Sequence, residues 1–139
     1  MSLRFLLDTN VLSEPIRPIP NQNVVEMLER HKQEIATATV VFHELLFGCK
    51  RLSESKKRRN LEKYLNEVVK PQIPMLSYDV NAALWHGTER ARLASIGKTP
   101  SFADSQIAAI AKVNDLILVT NNVSDFADSL DLKIENWYV

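Results

Sequence analysis

Four carboxylates sit where the chain leaves an apolar run or enters a helical pattern. Asp8 follows Leu3-Arg4-Phe5-Leu6-Leu7, and Glu44 lies in the helical stretch after Ile35-Ala36-Thr37-Ala38. Asp104 follows Thr99-Pro100-Ser101, and Asp125 comes soon after Leu116-Ile117-Leu118-Val119-Thr120. In α/β proteins ligands bind beyond the carboxyl ends of parallel strands, so acids far apart in the chain can meet in one pocket. Crowded carboxylates raise each other's pKa unless a positive charge sits among them, and oxygen donors of this kind suit Mg²⁺ or Mn²⁺. The chemistry indicated is metal-assisted and most naturally directed at phosphate.

Each acid also has a structural use. Asp8-Thr9-Asn10 is good turn chemistry, and Asp8 could cap Asn10 or Val11. A charge placed directly after a buried strand is nevertheless expensive unless it is paired or binds metal, with Thr9 and Asn10 as donors that orient it. Glu44 lies too far past Thr39 to serve as its capping partner, which leaves a salt bridge to Lys50 or Arg51 as its structural alternative. Ser101-Phe102-Ala103-Asp104 fits a capping box, although a helix N-terminus also keeps an acid ionised and can support a bound phosphate. Asn122-Val123-Ser124-Asp125 repeats the pattern of a cap followed by an acid, so one of its two ends serves structure only. His43 leaves its helix in a different direction from Glu44, and His31 and His86 have no ligand partner at metal-site spacing. Trp85 and Leu84, at helical spacing with Val80, read as core rather than as a base-stacking platform.

The elements that must position these acids fit one domain, residues 1–139. Leu3 to Leu7, Ile35 to Ala38, Met75-Leu76 and Leu116 to Val119 read as short buried strands, with Lys133 to Trp137 a possible fifth at the edge. Between them the pattern predicts a short helix within Val11 to Ile16, a helix capped by Asn23 and running to Lys32, and a helix from Val40 to Ser53 with Thr39 as cap. A further helix opens at Ser55 and closes at Pro71 and Pro74, a long one runs from Ser77 or Asp79 to near Gly97, and another runs from Ser101 to Val113. Asn121 to Leu130 is polar, with room for one helical turn. Strands alternating with helices predict a parallel sheet of four to five strands covered on both faces. With Gly48, Gly87 and Gly97 as the only glycines, neither a dinucleotide fingerprint nor a phosphate-binding glycine loop can be built.

Lys plus Arg equals Asp plus Glu at 17 each, so the molecule as a whole is not a basic nucleic-acid binder. Basic residues do cluster locally, at Lys50, Arg51, Lys56, Lys57, Arg58 and Arg59, and again at Arg90, Arg92 and Lys98. Around an acidic site they would offset the repulsion that a phosphate backbone meets, or else they are solvated helix faces. Cys49 is alone, which excludes an internal disulfide and a cysteine zinc site. No charged-then-apolar leader precedes the first strand and no stretch reaches the ~20 apolar residues of a membrane span, so the expected address is the cytoplasm.

As a set these motifs resemble the PIN-domain family of Mg²⁺-dependent ribonucleases, especially its bacterial toxin branch, VapC. Leu6-Leu7-Asp8-Thr9-Asn10-Val11-Leu12 resembles the family's first motif, and Thr39 to Glu44 its second. Pro100 to Ala109 resembles the third, and Leu118-Val119-Thr120-Asn121-Asn122 with Asp125-Phe126 the fourth. The resemblance implies a three-layer α/β sandwich, with Asp8, Glu44 and Asp104 as metal ligands and Thr120 as a hydroxyl donor. Where many members carry Asp two residues after this Thr, the chain has Asn122, so the fourth site residue is either that amide or Asp125. The resemblance further implies cleavage of RNA by metal-activated water, a cognate antitoxin as inhibitor, and a homodimer. A degenerate PIN-like module that binds RNA or protein without cutting is the non-enzyme alternative. A haloacid-dehalogenase-type phosphatase needs a second Asp where Asn10 stands, and a response-regulator receiver needs paired acids and a late lysine that are not evident.

Overall fold

The computed structural model describes residues 2–129 and 131–139, so Met1 and Leu130 lie outside the described residues. Five parallel strands form one sheet: β1 (Phe5–Leu7), β2 (Ile35–Ala38), β3 (Met75–Leu76), β4 (Ile117–Val119) and β5 (Ile134–Glu135), in the order β3-β2-β1-β4-β5. The first three strands build outward from β1 on one side, and the chain then crosses back to lay β4 against the other. The switch in direction falls between β1 and β4, where an open α/β sheet leaves a crevice beyond its strand ends. Leu7 pairs with Val119, which brings Asp8 and Thr120 out of the sheet side by side.

Helices α1 (Thr9–Ser13), α2 (Gln22–Arg30), α3 (Thr39–Lys50), α4 (Lys56–Tyr64), α5 (Lys70–Gln72), α6 (Val80–Ser95) and α7 (Phe102–Val113) connect the strands. The core runs through Phe5, Leu6 and Leu7 of β1, Leu118 and Val119 of β4, and the Ile107-to-Ala111 stretch of α7. These strands are buried on both faces, which is why they are continuously apolar rather than alternating.

Several boundaries differ from the sequence expectation. Asn21, not Asn23, caps α2 by accepting from the Val24 N–H at 3.1 Å, while the Asn23 amide donates to the carbonyl of Val139 at 2.9 Å. Thr39 is already helical, and the cap position of α3 is Ala38, without a side-chain bond, because buried β2 runs straight into the helix. Pro71 does not close the fourth helix. A wide turn over Leu65–Val69 resets the hydrogen-bond ladder so that Pro71 falls in the first turn of α5, and the Gln72 side-chain amide donates to the Glu67 carbonyl, the acceptor that proline leaves unused. Val80 and Leu84 are exposed, and of that group Trp85 alone packs on the core. Ser55, Asp79 and Ser101 cap their helices as expected, and the polar segment after β4 forms one tight turn at Val123–Phe126.

Candidate active site

Three of the four acids meet beyond the switch point. Asp8 ends β1 and is 7% exposed. Its carboxylate caps α1, accepting from the Val11 N–H at 3.0 Å, so the turn role is real. Burial pushes its pKa up; bonds from the Thr120 hydroxyl and the Val11 and Asn10 amides pull against that, and the charge of Asp104 adds to the rise. Thr120 thus acts as the hydroxyl donor to Asp8, and it is itself held by the Asn122 N–H at 3.0 Å.

Glu44, on α3, is held above its usual value by burial and then by the charge of Asp104, with the Thr9 hydroxyl opposing at 3.5 Å. The salt-bridge alternative does not form: Lys50 pairs with Glu62, and Arg51 lies over the Phe47 ring. His43 is near enough for its charge to favour the Glu44 carboxylate. Asp104 sits in the first turn of α7, and its N–H donates to the Ser101 hydroxyl at 3.1 Å. The return bond of a full capping box is absent among the described residues, and the charge of this carboxylate reaches both Asp8 and Glu44.

Asp125 and Asn122 are both exposed. Asp125 lines a separate hollow with Leu93, Lys98, Thr99, Pro100, Asp128 and Ser129, and its charge is not among the leading causes of the shifts of Asp8 or Glu44. Asn122 stays close to the site through its bond to Thr120.

Among the described residues no three acid, imidazole or thiol groups are drawn close enough to enclose an ion. The test is therefore the donor set itself. Mg²⁺ takes oxygen donors and keeps several of its waters, and the repulsion that Asp104 adds to Asp8 and Glu44 is what a cation relieves. The residues fit such an ion.

Two buried acids, Glu14 and Glu89, went unnoticed in the sequence. Glu14, 2% exposed, accepts from the Asn21 N–H at 2.9 Å and the Tyr138 hydroxyl at 2.9 Å, and it sits in the turn that continues α1. Tyr138 in turn senses the charge of Asp8. The Pro-rich segment around Glu14 offered no signal, because its partner lies 124 residues away.

Residues 5–128 match the PIN domain family. The chain is 33% identical over 124 residues to the toxin FitB of Neisseria gonorrhoeae, covering 87% of this chain and 89% of that protein. It is also 33% identical over 135 residues to the tRNA(fMet)-specific endonuclease VapC of Shigella flexneri, covering 97% and 98%. The DNA-bound VapBC crystal structure from Salmonella typhimurium superposes with a TM-score of 0.83 at 26% identity, covering 97% of this chain and 98% of that one. With its acids at the β1/β4 switch point and its motifs aligned end to end with these toxins, the chain belongs to the PIN-domain family, in the branch of the VapC ribonucleases.

Proposed function

We propose that the protein is a metal-dependent endoribonuclease acting as the toxin of a toxin–antitoxin pair, with Asp8, Glu44 and Asp104 holding Mg²⁺ or Mn²⁺. The observation that carries this reading is the buried Asp8 and the half-buried Glu44, each raised first by burial and then in part by the charge of Asp104, at the switch point of a PIN fold. A bound divalent ion supplies a Lewis acid and an activated water for attack on phosphorus. The chain's own residues prepare the place: Thr120 and the Val11 amide fix the Asp8 carboxylate, Thr9 steadies Glu44, and Ser101 anchors the turn that carries Asp104. The fourth position falls to Asn122, which is tied to Thr120, rather than to Asp125, which looks into its own hollow.

An antitoxin partner follows from relatives that are named as toxins. Its docking site is the apolar groove of about 410 Å³ lined by Leu12, Val25, Leu28, Tyr64, Val68 and Ile73. An Arg from that partner, placed among the acids, would substitute for the cation. A homodimer and a cytoplasmic address belong to the same reading, and no helix among the described residues is long and apolar enough to cross a membrane.

The test is cleavage of cellular RNA by the purified chain with Mg²⁺, with chelator, and with Asp8→Asn. Mg²⁺-dependent cleavage lost in Asp8→Asn supports the nuclease. RNA that is bound but left uncut by wild type under every divalent ion leaves the degenerate binding module as the better account. Co-purification from the host, with activity appearing once a partner is stripped away, tests the toxin role.

A further inference from the structure

Two phenylalanines stand out of the surface on the two helices that carry Glu44 and Asp104, each with an arginine laid over its ring. Phe47, 59% exposed, is one turn beyond Glu44 on α3, and the Arg51 guanidinium lies 5.3 Å from its ring centroid. His43 stacks with the same ring at 6.5 Å and 20° between planes. Phe102, 54% exposed, is the first residue of α7, two before Asp104, with the Arg90 guanidinium 5.4 Å from its centroid. Its ring also meets His86 at 5.2 Å. His86 is 4% exposed; its Nδ1 is bonded to the Tyr78 hydroxyl at 2.7 Å, and its Nε2 has no partner among the described residues.

Stability does not account for these pairs, since an exposed cation–π contact contributes only ~0.5–1 kcal/mol. Nor is either arginine neutralised. Arg4, Arg17, Arg58, Arg59 and Arg92 each pair with a carboxylate, whereas Arg51 and Arg90 make no such pair among the described residues. A flat ring beside an unneutralised guanidinium is what an unpaired nucleotide uses, its base stacking and its phosphate meeting the charge. Residues two apart on a helix leave it in nearly opposite directions. The charge of Asp104 reaches Glu44 and Asp8 while Phe102 leans on His86 of α6, and Phe47 stands between His43 and Arg51 on α3.

We infer that Phe47 with Arg51, and Phe102 with Arg90, are stacking stations for unpaired bases of the RNA, one on each side of the bond that is cut. The inference rests on the ribonuclease reading. It assigns the stacked bases to nucleotides that flank the cleaved bond, because Phe102 leaves α7 away from Asp104 and Phe47 stands a full turn beyond Glu44 on α3.

The experiment measures binding of the full chain, in chelator, to linear and hairpin oligoribonucleotides carrying the fluorescent base 2-aminopurine at successive positions. Phe47→Ala and Phe102→Ala should each weaken binding about tenfold and each abolish the stacking quench at a different nucleotide, with melting temperatures close to wild type. Phe→Trp at either site should restore both signals and Phe→Leu neither. Arg51→Ala and Arg90→Ala should each lower the salt dependence by about one contact. If wild type binds RNA and both alanine variants bind it equally well with unchanged quenching, the stations are overturned and the exposed rings belong to a protein partner. If wild type binds none of these RNAs, the ribonuclease reading itself falls and takes the stations with it.

Discussion

Asp8 is asked to be two things that pull apart electrostatically: a helix cap, which any Asp or Asn performs, and a charge buried beside Asp104. Asp8→Asn keeps the cap and removes the charge, whereas Asp8→Ala removes both. Without metal, Asp8→Asn should therefore melt at or above wild type, and Asp8→Ala should lose the cap's ~1 kcal/mol; with saturating Mg²⁺, wild type alone should gain stability. A melt in which Mg²⁺ raises all three equally would sink the shared metal site. The sign with pH follows from the raised values of Asp8 and Glu44: between their unfolded and folded pKa values the unfolded chain loses protons first, so their cost is absent at low pH and grows as pH rises. A second comparison separates the fourth-position candidates. Asn122→Ala should reduce cleavage, and Asp125→Asn should leave it within about twofold across a Mg²⁺ titration, since a factor of two is only ~0.4 kcal/mol. That Asp8, Glu44 and Asp104 lie near one another was legible from their places after a buried strand or in the first turns of a helix, even though each also had a structural use open to it. The separation of Asp125 was not, because only the tight turn after β4 decides which way it faces.

Helices and strands were legible wherever local chemistry was decisive, as at Ser55, Asp79 and Ser101, whose side chains do the capping expected of them. The errors have physical sources. Asn21 and Asn23 are equally good caps in isolation, and the choice is made by Glu14, which takes the Asn21 N–H and fixes where the turn of α2 begins. Asn21→Ala should cost about 1 kcal/mol, and Asn23→Ala, whose amide only touches an exposed terminal carbonyl, a few tenths. Urea unfolding of the two variants checks this, and equal losses would return the cap to Asn23. Pro71 misled for a similar reason. A proline ends a helix when its lost bond has no substitute, and here the wide turn before it and the Gln72 side chain supply one.

At the scale of the whole molecule, the switch between β1 and β4 gathers the site, and the far end of the chain closes on it. After β5 the chain brings Tyr138 to Glu14, while Asn21 and Asn23 hold the last two carbonyls, so the end of the chain is fastened to the turn that extends the Asp8 helix. Pairing across 124 residues leaves no trace in local pattern, which is why this clasp could not be read from sequence. Its pH behaviour opposes that of the acids. Burial alone would raise Glu14, but the Asn21 amide, the Tyr138 hydroxyl and Arg17 outweigh it and hold the carboxyl below its ordinary value. A lowered folded pKa means stability that is complete above the unfolded value near 4.5 and is lost as pH falls through the folded one. Glu14→Gln should accordingly destabilise by roughly 1–3 kcal/mol at pH 7, and by clearly less at pH 3, where wild type has begun to lose the same charge. Tyr138→Phe should remove part of that at pH 7. Chemical unfolding at the two pH values reads both effects. A Glu14→Gln loss that is the same at pH 3 and pH 7 would reduce the clasp to shape alone, with the charge contributing nothing to how the chain's end is held against the site.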